Sequence, residues 1–240
     1  MLQNTKDLYG HKLAALDGEI GHVKDFYFDD KIWVIRYLVA DTGSWLTGRL
    51  VLLSPHAFGN WDQFDRVLHL KLPIKQIENS PSIESHKPVS RQYEIEYHRY
   101  YGWPVYWNGS AIWGLGGSPV VMPPSKDEME EELHPHPADK HLQSTRAVTG
   151  YHIQAADETI GQVSGFLVDD KNWAIHKLVV ETGHWYSGKE ILISPSKVER
   201  ISYEGSTVYV NLSKADLQRS GENEVAKAGV GVFGESSSRV

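Results

Sequence analysis

The sequence contains two copies of one segment, placed at a fixed distance along the chain. Residues 8–58 and 148–198 align without a gap at an offset of 140, and 21 of the 51 aligned positions are identical. The identities include an Asp-Asp-Lys motif and the tryptophan that follows it, Trp33 or Trp173. A long insert between two copies indicates a tandem domain duplication, because a solenoid requires several short adjacent repeats.

Each copy has the pattern of a β domain. Residues 67–72 alternate between apolar and polar side chains, and residues 207–212 of the second copy repeat the alternation. A period of two predicts strands with one buried face. The run Ile32–Ala40 is apolar on both faces, which predicts a central strand. A unit of about 75 residues with about five or six short strands favours a small closed barrel, because closure removes exposed sheet edges.

Turn signals separate the predicted strands. The paired carboxylates Asp29/Asp30 and Asp169/Asp170 precede the tryptophans at the same place in both copies. They are interpreted as hairpin-turn residues rather than as a catalytic pair, because adjacent residues point apart and aspartate bonds its own backbone in turns. Gly21 and Gly161 interrupt strands and predict bulges or barrel corners. Helix starts are predicted at Pro73 and at the capping box 213–216.

A family resemblance follows from the repeated motifs. Both copies carry Gly-x-x-Ile/Leu, Asp-x-x-Ile-Gly-x-Val, Phe-x-x-Asp-Asp-x-x-Trp and Arg/Lys-x-Val/Ile-Leu-Leu/Ile-Ser-Pro, within residues 10–77 and 150–217. These motifs resemble the PRC-barrel, which occurs in the cytoplasmic part of the photosynthetic reaction-centre H subunit and at the C-terminus of a ribosome maturation factor. The arrangement around an aromatic spacer resembles free-standing bacterial homologues. The resemblance implies a barrel fold and an assembly role, and it supplies no catalytic residue.

The expected architecture is therefore mainly β, with two similar small barrels joined by a long spacer. The predicted divisions are residues 1–80 for the first barrel and 145–220 for the second. Residues 81–144 form the spacer, aromatic first and then acidic with prolines. Residues 221–240 are small and polar, and are predicted to be a disordered tail.

The aromatic spacer, residues 93–113, contains eight aromatic side chains. Residues 100–125 carry no charge, but their glycines and prolines argue against a transmembrane helix. Three interpretations remain open. The spacer packs its rings against a barrel, or it presents them to a partner, because aromatic residues are enriched at interfaces. Contact with a membrane interface is a third. The candidate docking residues are Tyr100, Tyr101, Trp103, Tyr106 and Trp107.

The acidic segment 126–141 is predicted to be a solvated, mobile tether. The alternative is a metal site, since imidazole and carboxylate groups are suitable ligands for zinc and similar ions. Its ligands would come from His134, His136, His141, Glu131, Glu132 and Asp139. The His-Pro-His-Pro spacing matches no recognised ligand pattern, so we expect no bound metal and no cofactor.

Composition narrows the functional classes. The sequence has no cysteine, which excludes disulfides, thiolate metal sites and cysteine nucleophiles. Lys and Arg number 24 and Asp and Glu 31, a net charge of −7, so binding to nucleic acid is not expected. The N-terminal residues lack the apolar region of a secretory signal, and a cytoplasmic location is therefore expected, with peripheral association with the inner membrane as an alternative.

Three functional hypotheses follow. The leading one is a non-enzymatic binding or assembly protein with an unidentified protein partner, because no nucleophile, phosphate-binding or zinc-protease motif occurs in the sequence. The second, which rests on the reaction-centre resemblance, is an accessory subunit of a membrane-bound photosynthetic or electron-transfer complex. The third is a metal-dependent enzyme that uses the spacer histidines. Homo-oligomer formation stays open in all three.

Overall fold

The structure, a computed structural model, describes residues 1–43, 48–81, 89, 91–107, 113, 142–183, 190–217 and 219. Contacts between residues group the chain into two compact units. Unit 1 comprises Met1–Val148 together with Gly165–His176, and unit 2 comprises Thr149–Ser164 and the chain from Lys177 onward. A segment of the second sequence copy therefore belongs to unit 1.

The first copy begins with a short strand and a helical turn, continues through consecutive antiparallel strands and ends with a helix. Its elements are β1 (Leu2–Asn4), α1 (Thr5–Leu8), β2 (Lys12–Ala15), β3 (Gly18–Asp29), β4 (Val34–Asp41), β5 (Leu50–Leu53), a 3-10 turn (Pro55–Ala57), β6 (Phe58–Asp62), β7 (Val67–Leu70) and α2 (Ile74–Glu78). The helix α3 (Arg91–Tyr101) follows and contains the first part of the aromatic spacer.

The second copy repeats this order element by element. Its elements are β8 (Leu142–Ser144), α4 (Thr145–Val148), β9 (His152–Gln154), β10 (Thr159–Asp169), β11 (Ile175–Thr182), β12 (Glu190–Ile193), a 3-10 turn (Pro195–Lys197), β13 (Val198–Ser202) and β14 (Thr207–Val210). A last helical turn spans residues 214–217.

The two sheets have the same strand order. One runs β5-β4-β3-β2-β7-β6 and the other runs β12-β11-β10-β9-β14-β13, and each has seven strands. The prediction of a mainly β protein with two similar copies is confirmed. Among the described strands, the pairings do not join the ends of either order, so closure into barrels stays a prediction.

The seventh strand of each sheet comes from the other copy. Strand β1 pairs antiparallel with residues 167–169 of β10, and Leu2 lies opposite Asp169. Strand β8 pairs antiparallel with residues 27–29 of β3, and Leu142 lies opposite Asp29. Both pairings lie in unit 1. Each residue of one pairing differs by 140 in number from the equivalent residue of the other, as Leu2 does from Leu142. The two copies thus exchange their leading strands reciprocally.

The two exchanged strands are held by different side chains. Asn4 caps α1 by accepting a hydrogen bond from the Lys6 amide, and a Cβ added to Gly165 would lie 2.5 Å from Asn4 Oδ1. At the matching place in the other exchange, the Asp25 carboxylate accepts hydrogen bonds from the Ser144 hydroxyl and, at 3.1 Å, from the Arg146 amide. Asn4 therefore requires the space above a glycine, whereas Ser144 requires a carboxylate.

The predicted turns and the bulge are confirmed. The carboxylates of Asp29 and Asp169 accept hydrogen bonds from the amides two residues later, at 3.0 and 2.8 Å. Trp33 and Trp173 follow with the same left-handed backbone, at φ 57° and 62°. The register shifts opposite Gly21, where a Cβ would lie 2.0 Å from the Asp41 carbonyl oxygen, so the close strand approach requires glycine.

Both predicted helix starts are confirmed. Pro73 is the N-cap of α2. The Ser213 amide donates to Asp216 Oδ2 at 3.1 Å, and the Asp216 amide donates to Ser213 Oγ at 3.2 Å. This reciprocal pair satisfies two backbone donors at the start of the 214–217 turn.

Candidate functional site

The aromatic spacer packs against the first copy in unit 1. Tyr97 is fully buried, and its hydroxyl donates to the Leu52 carbonyl at 3.0 Å and accepts from the Ser54 amide at 3.0 Å. Tyr101 and Trp103 stack with ring centroids 4.3 Å apart. This burial supports the interpretation in which the spacer buries its rings against the protein.

The five candidate docking residues differ in exposure. Tyr101, Trp103 and Tyr106 are 8, 5 and 4% exposed, and Trp107 is partly buried. Tyr100 is 37% exposed, and its hydroxyl donates to the Gln76 carbonyl at 2.8 Å. Partner docking through this group stays a prediction, and within it Tyr100 is the most exposed ring.

Beneath the spacer lies a buried polar cluster that the sequence analysis missed. The Arg36 guanidinium lies 3.7 Å above the Tyr106 ring and 3.9 Å from the Asp29 carboxylate. Glu94 accepts hydrogen bonds from the hydroxyls of Tyr37 and Tyr106. Arg36 interrupts the apolar run Ile32–Ala40, and this interruption is the sequence signal that indicates a buried charge.

Burial controls the charge states in this cluster. His98 is 1% exposed, and desolvation lowers its pKa to about 3, with the nearby His56 ring acting in the same direction. Its Nδ1 lies 2.9 Å from the Pro104 carbonyl oxygen, an acceptor, which places a proton on Nδ1. Desolvation also raises the pKa of Tyr37 well above its ordinary value. The cluster is closed to solvent and holds the spacer on β4.

An open cavity of about 410 Å³ lies elsewhere in unit 1, at the hairpin formed by β6 and β7. The turn 170–173 of the second copy forms its other wall. The lining residues are Pro55, Phe58, Gly59, Asn60, Trp61, Leu68, Lys71, Asp170, Lys171 and Trp173. We refer to this cavity as the hairpin pocket.

Three aromatic rings form the apolar part of the hairpin pocket. The Trp173 ring lies 4.8 Å from the Phe58 ring and 5.7 Å from the Trp61 ring, between centroids. The indole N–H of Trp61 donates to His11 Nδ1 at 2.9 Å, which fixes the orientation of the ring. Burial lowers the pKa of His11, which favours the neutral ring that can accept this hydrogen bond.

Charged groups form the polar part of the hairpin pocket. Lys71 comes from the first copy and Lys171 from the second, and both are exposed. The Asp170 carboxylate lies 2.6 Å from the Met1 amino group. Two lysines and one aspartate line the pocket, so its lining carries a net positive charge although the chain carries −7.

The tip of the same hairpin carries an exposed aromatic ring. Phe64 is 96% exposed, within a tight turn in which Asp62 accepts a hydrogen bond from the Asp65 amide at 2.9 Å. Arg66, two residues after Phe64, has the left-handed φ of 56° that closes the turn. The hairpin geometry therefore holds Phe64 away from the body of unit 1.

The second copy has the same hairpin but different side chains. The turn residue Ser206 has a φ of 45° and matches Arg66. At an offset of 140, Phe58, Gly59, Trp61, Phe64 and Lys71 correspond to Val198, Glu199, Ile201, Glu204 and Asn211. The rings and the first-copy lysine thus belong to one copy only. The sequence analysis missed this because the differences lie mostly beyond the aligned segments.

The predicted metal ligands of the acidic segment lie outside the described residues. Among the residues that the structure does describe, no group of three or more histidine, aspartate or glutamate side chains is placed to hold a metal ion. The helices in the same ranges include none that is long and apolar enough to cross a bilayer.

No protein-family model matches the chain, and no curated protein matches it.

Proposed function

We propose that the chain is a non-enzymatic binding protein that docks a protein partner on the β6–β7 hairpin of its first copy. The observation that carries this proposal is Phe64, which is 96% exposed at the hairpin tip. Leaving a phenylalanine in water forgoes about 2–3 kcal/mol of burial free energy, which a partner would recover. The corresponding residue of the second copy is Glu204, so the fold does not require an aromatic ring there.

The surroundings of Phe64 define the partner surface. Trp61 lies three residues away on the same hairpin and is partly exposed at the hairpin pocket. Aromatic anchors beside a pocket are typical of the residues that contribute most to protein–protein affinity. Lys71 and Lys171 add positive charge to the same pocket. The partner surface is therefore an apolar recess for Phe64 flanked by acidic side chains.

The hairpin pocket favours binding over catalysis. Its two lysines are exposed and its one carboxylate, that of Asp170, contacts the Met1 amino group, whereas a catalytic lysine is usually activated by burial. Closure of the two sheets into PRC-barrels belongs to this proposal, supported by their identical strand order. The family resemblance supports an assembly role in the same way.

A photo-cross-linking experiment tests the docking proposal. A benzophenone amino acid replaces Phe64 in one full-length protein and Glu204, on the matching hairpin, in another. We expect a discrete adduct in native cell extract from position 64 and none from 204. Excess unlabelled wild-type protein should prevent the adduct, whereas the Phe64→Glu protein should not. Equal adducts at both positions, or competition by Phe64→Glu, would contradict the proposal.

The same proteins separate the alternative partners. Sedimentation with anionic phospholipid vesicles that depends on Phe64 would replace the protein-partner proposal by membrane docking, as expected of an accessory subunit at a membrane complex. An adduct at twice the chain mass, with Phe64-dependent self-association in analytical ultracentrifugation, would identify the partner as a second copy. Either result contradicts docking to a different protein.

A further inference from the structure

We infer that the hairpin pocket binds a small organic anion that carries an aromatic ring, such as an aromatic carboxylate. Its volume, about 410 Å³, lies within the ~300–1,000 Å³ that small-molecule sites occupy. Its lining combines aromatic rings with ammonium groups. The proposed partner surface borders the same pocket, but the inference does not depend on Phe64, which does not line it.

The aromatic wall is held in place by hydrogen bonds and by burial. The Trp173 amide donates to the Asp169 carbonyl at 2.8 Å, and the Trp173 carbonyl accepts from the Ile35 amide at 2.9 Å. Trp61 is held by its hydrogen bond to His11. A preformed wall reduces the entropy lost when a ligand is ordered, so a flat ring can lie against it at low cost.

The charge of the lining selects the sign of the ligand. The lining has two positive side chains, Lys71 and Lys171, and one negative side chain, Asp170, which gives a net charge of +1. Among the described residues, no carboxylate lies within 4.0 Å of either lysine ammonium group. Asp170 itself contacts the Met1 amino group. A carboxylate ligand would gain attraction from both ammonium groups, whereas a cation would be repelled.

The hairpin pocket has space at a position where the second copy has a larger side chain. Gly59 lines the pocket without a side chain, and the aligned residue in the second copy is Glu199. Trp61 corresponds to Ile201 and Lys71 to Asn211. Each feature that the inference needs in the first copy (space, ring and charge) is absent from the second copy at that position. The second-copy residues at these three positions can therefore be introduced into the first copy as test substitutions, because the same fold already contains them.

Titration of the full-length protein with 2-naphthoate and with its neutral analogue 2-naphthamide tests the inference. The indole N–H resonances of Trp61 and Trp173 report the site in nuclear magnetic resonance spectra. We expect both resonances to shift with 2-naphthoate at a Kd below about 1 mM, and binding of the amide to be at least about 10-fold weaker. Lys71→Asn and Trp61→Ile should each weaken naphthoate binding by about 5-fold or more.

Matched variants keep the test decisive. Lys75 is exposed and does not line the pocket, so Lys75→Asn should bind naphthoate as the wild type does. Phe64→Ala, which changes no charge beside the pocket, should also bind it normally, which separates this inference from partner docking. Since Lys71 is exposed, its variant remains informative even if Trp61→Ile destabilises unit 1. Equal binding of acid and amide, no shift of either resonance, or full binding by Lys71→Asn would overturn the inference.

Discussion

Strands β4 and β11 occupy the same place in the two copies but have different environments. Seven of the eight residues of β4 are buried, whereas β11 exposes His176 and Glu181. Arg36 and His176 are aligned, and their side chains are 1% and 48% exposed. Both lie near the aspartate of the preceding turn, Asp29 or Asp169, at 3.9 and 4.0 Å. The fold therefore tolerates two polarity patterns on one strand, and the aromatic spacer accounts for the difference by covering β4.

The largest expected effect comes from testing the aligned pair Arg36 and His176. Arg36→Met should lower the free energy of unfolding of unit 1 by about 3–5 kcal/mol, because it leaves Asp29 and Glu94 buried without their cation. His176→Met, at the exposed aligned position, should change stability by less than about 0.5 kcal/mol. Urea unfolding of both variants measures the difference. Equal losses would show that the spacer does not determine the role of this position.

The pH dependence of stability tests the burial of His98 in the spacer that covers β4. His98 has a pKa of about 3, below its ordinary value of 6.5, so the unfolded chain binds a proton between these values while the folded chain does not. The contribution of His98 is therefore complete above pH 6.5 and is lost as the pH falls toward 3. The slope is about 1.4 kcal/mol per pH unit within that window.

A neutral replacement isolates the His98 contribution. His98→Gln should remove most of its share of the pH slope, although it also lowers stability at neutral pH by disturbing the contacts with Tyr37 and Pro104. His152→Gln, an exposed position of the second copy, serves as the control. Urea unfolding at several pH values between about 4 and 7 gives both slopes. Identical slopes for wild type and His98→Gln would contradict the buried neutral histidine.

A smaller effect is expected at the exchanged strands. Gly165→Asp introduces the first-copy residue beneath Asn4 and should destabilise the β1–β10 pairing by about 1–3 kcal/mol, because the new Cβ meets the Asn4 side chain. Adding Asn4→Ser recreates the Ser144–Asp25 pair of the other exchange and should restore most of the loss. Hydrogen exchange at the amides of residues 2–4 and 167–169 measures the pairing. A double variant no better than Gly165→Asp alone would refute this side-chain complementarity.

The sequence predicts local features well because each copy repeats them independently. The Asp-Asp-Lys turn, the bulge at Gly21 and the 213–216 capping box depend on neighbouring residues, and all three are confirmed. The strand exchange depends on partners far away in the chain. Leu-Gln precedes both copies, at 2–3 and 142–143, and can pair in register with β3 or β10. The space above Gly165 and the carboxylate of Asp25 are two features that distinguish these partners.

The hairpin pocket could not be predicted from the residues that the two copies share. Identical residues define the repeat, and residues kept in both copies, such as Trp173, are those that the shared fold requires. The pocket depends on differences: Trp61 against Ile201, and Lys71 against Asn211. Its second wall comes from residues 170–173, whose position near the first-copy hairpin follows from tertiary packing in unit 1. Comparison of the copies for divergence, in addition to similarity, would have selected the hairpin from sequence.

The exchanged strand β1 has a consequence for synthesis of the protein. Leu2 pairs with Asp169, so 166 residues are synthesised between Leu2 and its partner. At ribosomal rates of about 5–20 residues per second, residues 2–4 wait about 10–30 s for residues 167–169 to be made. During that interval, β1 of one nascent chain can pair with the β10 strand of a neighbouring finished chain. Translation from closely spaced ribosomes should therefore favour chains joined through β1, and the yield of monomer should rise when initiation is slowed.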